Sequence, residues 1–351
     1  MIIDGHVHLF PYIGSACGYG SAEAHLEYMR KYFIDRRDVS FRAANFGRFE
    51  WTIDGIDYYR QFNPPSLQDH SCTPEFILAQ MDHAGVDMAV LHNGRFYGKL
   101  NQYFSECVRK YPDKFVGMAE IDELQADRES EKEKLRHAVE TLELKGLYYE
   151  TQPFFASNAA EKFHDKKYDL FWETVRELGI AVNWVPFTVK DSKEQLFMKY
   201  DLFDRWVEKY PEIPCILLHG LFPLKPFMQN DELIYPKEFL RLFRHPNVHT
   251  EVLFPVLVGP LGWDYPYPQA HKIIQNLYEE IGAEKLVWGT DMPLVECNCT
   301  YKQALTYLRD YCDFIPPEDM NLILGDNARR IFNIDTQIAK TIRSRYAGGI
   351  Y

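Results

Sequence analysis

Met1-Ile2-Ile3-Asp4-Gly5-His6-Val7-His8-Leu9-Phe10 begins the chain and predicts a buried β-strand that ends in two histidines. Side chains alternate along a strand, so residues two apart point the same way and lie about 6.6 Å apart along its axis. The imidazoles of His6 and His8 can therefore converge on one ion. Because histidine is a common metal ligand, this stretch indicates a metal site at the tip of the first strand.

A second apolar run lies near the other end of the chain, in Lys285-Leu286-Val287-Trp288-Gly289-Thr290-Asp291-Met292-Pro293. It ends in an aspartate, which is a poor strand residue, and a proline soon breaks it. In a barrel enzyme the C-terminal tip of a strand is where a metal ligand or a base is kept. Asp291 is therefore predicted to take one of these two roles, and the sequence leaves the choice between them open.

Short apolar runs alternate with longer amphipathic segments along the chain, which is the pattern of a parallel sheet with crossover helices. Two of the helical segments are closed by glycine, at Gly85 and Gly179. An open doubly wound sheet would require a glycine-rich nucleotide turn after an early strand, and the sequence has none. We therefore predict a distorted (β/α)8 TIM barrel with strands at residues 2–8, 88–92, 115–121, 144–150, 180–185, 215–219, 248–253 and 286–291.

Residues 10–69 form a long insertion after the first strand, rich in tyrosine, phenylalanine, arginine and glycine. Long connections of this kind are uncommon unless they are functional. Because this one leaves the C-terminal end of a barrel strand, we predict a lid over the mouth of the barrel. Residues 1–351 are expected to form a single barrel domain that includes the lid.

Composition restricts the kind of partner. The chain has 351 residues, 46% of them apolar, and a net charge of -12. Nucleic acids and anionic membranes select for basic patches, so neither is expected, and a small-molecule substrate is. There is no leader-like or membrane-spanning run, and the seven scattered cysteines are typical of reduced thiols. We expect a cytoplasmic protein, and a homo-oligomer, specifically a dimer.

Four motifs together resemble the amidohydrolase superfamily. They are His6-Val7-His8, His219 after the sixth strand, Gly289-Thr290-Asp291-Met292-Pro293, and Gly325-Asp326-Asn327-Ala328-Arg329-Arg330. The chain looks most like the amidohydrolase-2 branch, which includes aminocarboxymuconate semialdehyde decarboxylase, resorcylate decarboxylases and pyrone dicarboxylate lactonase. The resemblance extends over essentially the whole sequence.

This resemblance implies one divalent metal ion, usually zinc, bound by His6, His8 and Asp291. His219 would be a further ligand or the catalytic base. The branch usually has a metal-binding histidine at the end of strand five, and the run from Gly179 to Pro186 contains none. Glu150, at the tip of strand four, is the expected substitute. Oxygen donors make the site harder, so manganese and magnesium are alternatives to zinc.

Two reactions fit these residues. Hydrolysis of a small cyclic or aromatic, carboxylated substrate by a metal-activated water is the preferred prediction. Non-oxidative decarboxylation of a cyclic or aromatic acid is the alternative, with Arg48 in the lid or Arg95 after strand two holding the carboxylate. A protein that only binds is disfavoured, because His6, His8, His219 and Asp291 are all present.

Three other polar residues fall within predicted strands. His92 and His249 match no position of the family motifs and are not expected to be ligands. Glu251, two residues after His249, is a candidate for a carboxylate that orients a ligand.

Overall fold

Eight parallel strands follow one another around a single sheet in the order in which they occur along the chain. The structure, a computed structural model, describes residues 1–186, 191–221, 223–229, 232–258, 262 and 264–335. The barrel strands are β1 (Ile3–Val7), β2 (Met88–Leu91), β3 (Phe115–Ala119), β4 (Gly146–Glu150), β5 (Ala181–Val185), β6 (Cys215–Leu217), β7 (Val248–Val252) and β8 (Leu286–Trp288).

The last strand meets the first and closes the barrel. Val7 forms a parallel bridge with Met292, and the backbone N–H of His8 donates to the Met292 carbonyl oxygen at 2.7 Å. The pairing of β1 with β2 shifts register between Asp4 and Val7, which distorts the barrel on this side. The predicted (β/α)8 barrel is therefore confirmed.

Helices connect the strands and cover the outside of the sheet. The helix Pro74–Ala84 begins at Thr73, whose side chain accepts from the Phe76 N–H, and ends at Gly85 in the left-handed conformation that glycine adopts freely. Gly179 ends the helix Asp169–Leu178 in the same way, so both glycine stops are confirmed. No helix among the described residues is long and apolar enough to cross a membrane. Further helices are Asn101–Lys110, Glu129–Glu140, Gln152–Ala156, Lys193–Lys209, Lys237–Leu240, Phe254–Val258, Pro268–Ile281, Tyr301–Arg309 and Pro317–Asn321.

A final helical segment fills the end of the barrel where the strands begin. It consists of a π-helical turn, Leu322–Asp326, followed by the helix Asn327–Ile331. Ala328 and Ile331 pack in the same buried cluster as Ile3 at the start of β1. With this end of the barrel filled, the opposite end, where the strands finish, is left for a site.

The insertion after β1 contains the helix Ala22–Phe33 and an antiparallel sheet of Arg42–Ala43, Arg48–Ile53 and Ile56–Gln61. It packs on loops that leave the C-terminal ends of the barrel strands. The Phe62 ring lies 4.5 Å from that of Phe96 after β2, and the Ser66 hydroxyl donates to Glu296 after β8 at 2.6 Å.

His70 holds the insertion in place from a fully buried position. Its Nδ1 donates to the Ala44 carbonyl at 2.8 Å, and its Nε2 accepts from the Asn63 amide at 3.0 Å. Burial lowers the pKa of His70 from 6.5 to about 4. Between these two values the unfolded chain binds a proton that the folded chain does not. The free energy of unfolding should therefore fall by as much as about 3 kcal/mol as the pH falls through this window.

His70→Gln should remove this part of the pH dependence. We expect the difference in unfolding free energy between wild type and variant to shrink as the pH falls from 6.5 to 4, measured by urea unfolding at each pH. His83→Gln, at an exposed histidine of the neighbouring helix, is the control and should give a constant difference. Parallel curves for His70→Gln and wild type would contradict the prediction.

Candidate active site

His6 and His8 place two imidazole nitrogens at one point at the C-terminal end of β1. Their Nε2 atoms are 3.0 Å apart. The Nδ1 atom of His6 lies 3.0 and 3.1 Å from the two carboxylate oxygens of Glu251, and the Nδ1–H of His8 donates to the carbonyl oxygen of His92 at 2.9 Å. With each Nδ1 serving as the donor, both Nε2 atoms present lone pairs to each other. A cation between them would remove this repulsion.

Asp291 brings a carboxylate oxygen to the same point. Its Oδ1 lies 3.2 Å from His8 Nε2 and 3.6 Å from His6 Nε2. The three donor atoms lie on a circle of radius about 1.9 Å, close to the metal–ligand distances of about 2.0–2.2 Å found for zinc. The donor set therefore fits one divalent ion, with His6, His8 and Asp291 as its protein ligands.

His219 lies beside this group at the tip of β6. Its ring stacks on that of His6 with the centroids 5.3 Å apart, and its backbone N–H donates to Glu251 at 2.8 Å. His219 and Asp291 both have positive φ angles, of 67° and 56°. Such left-handed residues cost free energy and cluster at functional sites, where the surrounding structure holds them.

Asp4 is a buried residue of this region for which no role was predicted from the sequence. Its Oδ1 accepts from the backbone N–H groups of Thr290 and His6, at 3.0 and 3.1 Å. Its Oδ2 accepts from the Thr290 hydroxyl at 2.6 Å and the Tyr301 hydroxyl at 2.8 Å. The Thr290 hydroxyl in turn accepts from the backbone N–H of Met292 at 3.2 Å. Asp4 thus fixes β1 to the turn that carries Asp291.

His92, which was not expected to be a ligand, also belongs to the buried centre. Its ring lies 4.3 Å from that of His6, and its Nε2 is 2.7 Å from the side-chain nitrogen of Asn183 on β5. His92 Nδ1 has no hydrogen-bond partner among the described residues. His6, His92 and Glu251 form a second group of possible ligands within 4.8 Å of one another, after the group of His6, His8 and Asp291.

Glu150 lies outside both ligand groups of the described residues. It is half-buried at the end of β4, and its backbone N–H donates to the carboxylate of Glu123 at 3.1 Å. Burial raises the pKa of Glu150, and the guanidinium of Arg95 opposes this shift. Arg95 forms ion pairs with Glu123 and, at 3.3 Å, with Asp122. One arginine and several carboxylates therefore occupy this side of the mouth.

The structure does not bring Arg48 to the histidines. Arg48 is exposed on the antiparallel sheet of the insertion, where its Nε donates to Gln61 at 3.1 Å. Its guanidinium lies over the ring of Tyr59, 4.7 Å from the centroid. These contacts are local to the hairpin, whereas Arg95 lies at the tips of the barrel strands.

Comparison with known proteins identifies the family. The model of the amidohydrolase family matches residues 3–334. The chain belongs to this family. The amidohydrolase resemblance drawn from the four motifs is thereby confirmed.

Solved structures show the same fold at low sequence identity. A probable 2-pyrone-4,6-dicarboxylic acid hydrolase from Acinetobacter baumannii is 16% identical with a TM-score of 0.60, over 95% of this chain and 99% of that one. 5-Carboxyvanillate decarboxylase from Sphingomonas paucimobilis is 15% identical with a TM-score of 0.60, over 95% and 99%. Dihydroxybenzoic acid decarboxylase from a Polaromonas species, with bound manganese and 2-nitroresorcinol, is 15% identical with a TM-score of 0.56, over 95% and 97%. No curated protein sequence matches this chain significantly.

β5 carries no histidine in this chain. β5 ends at Val185 and is followed by Pro186, and the polar side chain that β5 sends to the buried centre is that of Asn183. Asn183 contacts His92 and not the group of His6, His8 and Asp291. Among the described residues, the candidate ligand group of His6, His8 and Asp291 therefore has three members and no histidine from β5.

Burial dominates the electrostatics of the site. It lowers the pKa of His6 to about 4 and raises that of Glu251 to about 8. Burial alone would raise the pKa of Asp291, but the neighbouring His6 and His8 outweigh it and hold this pKa below its usual range. The pKa of His219 is lowered by burial and then by His6. Neutral imidazoles next to an ionised carboxylate are the state that binds a divalent cation.

Proposed function

We propose that the protein is a metal-dependent hydrolase acting on a small cyclic or aromatic, carboxylated substrate. The observation that carries the proposal is the convergence of His6 Nε2, His8 Nε2 and Asp291 Oδ1 within 3.6 Å of one another. Membership of the amidohydrolase family supports it. The position of the group, at the C-terminal tips of the strands, is where TIM barrels carry out their chemistry.

A divalent ion held by these residues supplies a Lewis acid and lowers the pKa of a coordinated water to about 7. The protein groups around it then have separate tasks. His219, with its pKa lowered by burial, is the group that takes a proton or delivers one to the leaving atom. Asp291, ionised and next to both histidines, serves as ligand and can accept a proton through its second oxygen.

Zinc is the metal that we propose for this site. Two imidazoles and one carboxylate match the nitrogen and oxygen donors of catalytic zinc centres. Manganese is the main alternative, because a carboxylate and several oxygen donors nearby make the site harder. The Polaromonas decarboxylase contains manganese, so manganese is one of the ions used in the metal-binding experiment below.

Decarboxylation is the second candidate, and Arg95 is the observation that favours it. A half-buried guanidinium in the loop after β2 can hold a substrate carboxylate at the mouth of the barrel. However, Arg95 is already paired with Glu123 and Asp122, so a substrate carboxylate would have to compete for it. For this reason we place hydrolysis first.

We further propose that residues 10–69 act as a lid over the site. Tyr19 of this segment donates through its hydroxyl to the carbonyl oxygen of Arg95 at 2.9 Å, and His25 binds the Phe96 carbonyl at 2.9 Å. These contacts place the segment against the loop after β2, next to the strand tips. A lid in this position would exclude bulk water from the reacting groups.

Metal content and product analysis test the proposal. Protein reconstituted with zinc, manganese or magnesium and then freed of loosely bound ions should retain one ion per chain, measured by mass spectrometry. His8→Asn should lose this ion, because it removes one of the nitrogens at 3.0 Å, whereas His83→Asn at an exposed helix position should retain it. Cyclic esters and amides that carry carboxylates should be hydrolysed, with no release of carbon dioxide.

Each outcome has a defined meaning. Carbon dioxide release from hydroxybenzoates, with the same dependence on the ion, would establish the decarboxylase instead. Wild-type protein that retains none of the three ions would overturn the metal-dependent function altogether. Retention of the ion by His8→Asn would remove His8 from the site.

A further inference from the structure

Glu251 is a buried carboxylate on β7 that contacts two parts of the active site at once. It is 1% exposed. An ionised or neutral carboxyl group in such a position costs free energy unless its oxygens are hydrogen-bonded. The hydrogen-bond partners of Glu251 therefore indicate its role.

The first partner is the ring of His6. Nδ1 of His6 lies 3.0 Å from one oxygen of Glu251 and 3.1 Å from the other. A proton on Nδ1 is favoured between these oxygens, and Nε2 then keeps its lone pair. Nε2 is the atom that faces His8 and Asp291. Glu251 thus selects the tautomer in which His6 can act as a ligand.

The second partner is the backbone of His219. The N–H of His219 donates to Oε2 of Glu251 at 2.8 Å. His219 has the left-handed backbone, with φ of 67°, that non-glycine residues adopt at a cost. A hydrogen bond from this N–H to a carboxylate offsets part of that cost and fixes the direction in which the His219 ring leaves β6.

Neighbouring glycines leave the room that this arrangement needs. A Cβ atom at Gly289 on the β8 turn would lie 3.2 Å from Oε1 of Glu251 and 3.0 Å from the Cβ of His6. A Cβ at Gly220, which follows His219, would lie 3.0 Å from the Glu251 carbonyl oxygen. A side chain at either position would displace the carboxylate or its strand. Glycine at both positions therefore leaves Glu251 the space that its contacts need.

We propose that Glu251 is a positioning residue that couples His6 to His219, so that one carboxylate sets both the ligand tautomer and the orientation of the proton-transfer group. This inference rests on the proposed metal-dependent function and adds to it a residue on β7. It predicts that replacing an acceptor oxygen of Glu251 weakens metal binding and disturbs His219 together.

Glu251→Gln is the sharpest variant because it keeps the size of the side chain. The N–H of His219 needs the amide oxygen at the Oε2 position, so the NH2 group takes the Oε1 position, 3.0 Å from Nδ1 of His6. The clash is relieved when the proton of His6 moves to Nε2, and this blocks the ligand atom. We expect the metal affinity to fall about 10- to 100-fold, measured by titration against a chromophoric chelator.

A spectroscopic readout separates this role from a general loss of packing. In cobalt-substituted protein, Glu251→Gln should shift the visible ligand-field bands relative to wild type. Glu296→Gln is the matched control. Glu296 is a half-buried carboxylate on the β8 loop that accepts from Ser66 and belongs to neither ligand group. It should leave both the chelator titration and the cobalt spectrum unchanged.

The outcomes distinguish the two proposals. If wild-type protein binds no metal, the proposed function fails before Glu251 is tested. If wild type binds metal and Glu251→Gln binds it equally well with an unchanged cobalt spectrum, the function stands and the role of Glu251 is refuted.

If Glu251→Gln does not fold, nuclear magnetic resonance of metal-loaded wild type labelled with 15N-histidine decides. His6, assigned by its loss in His6→Asn, should carry a slowly exchanging proton on Nδ1. A proton on Nε2 or rapid exchange at Nδ1 would overturn the proposal.

Discussion

Asp291→Asn is expected to lower kcat/KM by about 1000-fold or more, equivalent to about 4 kcal/mol of transition-state stabilisation. The substitution removes the negative charge next to His6 and His8 while keeping the shape of the side chain. Measured on the substrate found by product analysis, the loss should appear in kcat. The metal content of the same variant decides the role that the sequence left open. Loss of the ion makes Asp291 chiefly a ligand, whereas a retained ion with a lost kcat makes it chiefly a proton acceptor.

Asp313→Asn provides the control for this measurement. Asp313 is an exposed aspartate that follows Asp291 in the sequence, and it belongs to neither group of possible metal ligands. Its amide variant should keep wild-type kinetics and metal content. If Asp291→Asn retains kcat/KM within tenfold of wild type, then Asp291 is neither ligand nor base.

The barrel could be predicted from the sequence because each strand carries its signal locally. A short apolar run between helical segments indicates a buried parallel strand whatever happens elsewhere in the chain. The spacing of His6 and His8 likewise requires only the alternation of a single strand. Asp291 needed one further step, because its place at the tip of β8 puts it near β1 only when the barrel closes.

The insertion contains a local sequence signal for a β-hairpin that the prediction did not use. Asp54-Gly55 is a typical two-residue hairpin turn, and both residues have positive φ, of 51° and 78°. It joins the strands Arg48–Ile53 and Ile56–Gln61, whose residues alternate between two faces. A hairpin prediction would have placed Arg48 opposite Gln61 on a sheet with no barrel strand beside it. The prediction of Arg48 as a carboxylate clamp did not take this hairpin into account.

Contacts inside the barrel could not be predicted in this way. His92 and Asn183 come from β2 and β5, and their contact at 2.7 Å depends on the shear of the closed sheet. The register shift in β1, between Asp4 and Val7, changes which side chains meet at the same level. No single strand determines such contacts. The sequence pattern therefore gave no reason to expect His92 at the site and did not predict where the side chain of Asn183 would lie.

Asp4→Ala is expected to have the largest effect on stability, lowering the free energy of unfolding by about 3 kcal/mol or more. The carboxylate accepts four hydrogen bonds, from the backbone and hydroxyl of Thr290, the backbone of His6 and the hydroxyl of Tyr301. Alanine leaves these donors buried without an acceptor. Asp4→Asn should cost less, because an amide keeps one acceptor oxygen and the two hydroxyl groups can rotate to meet its NH2. Urea unfolding of the three proteins measures the order.

A pair of tyrosine variants isolates the contribution of burial to this network. Tyr301→Phe removes one donor from the fully buried Asp4 and should cost about 1–2 kcal/mol. Tyr278→Phe removes an equivalent hydrogen bond, from Tyr278 to Asp319 at 2.5 Å, in a half-buried position where water can replace it. Its cost should stay below about 0.5 kcal/mol. Equal costs for the two variants, or an Asp4→Ala protein as stable as wild type, would show that Asp4 does not connect β1 to the turn that carries Asp291.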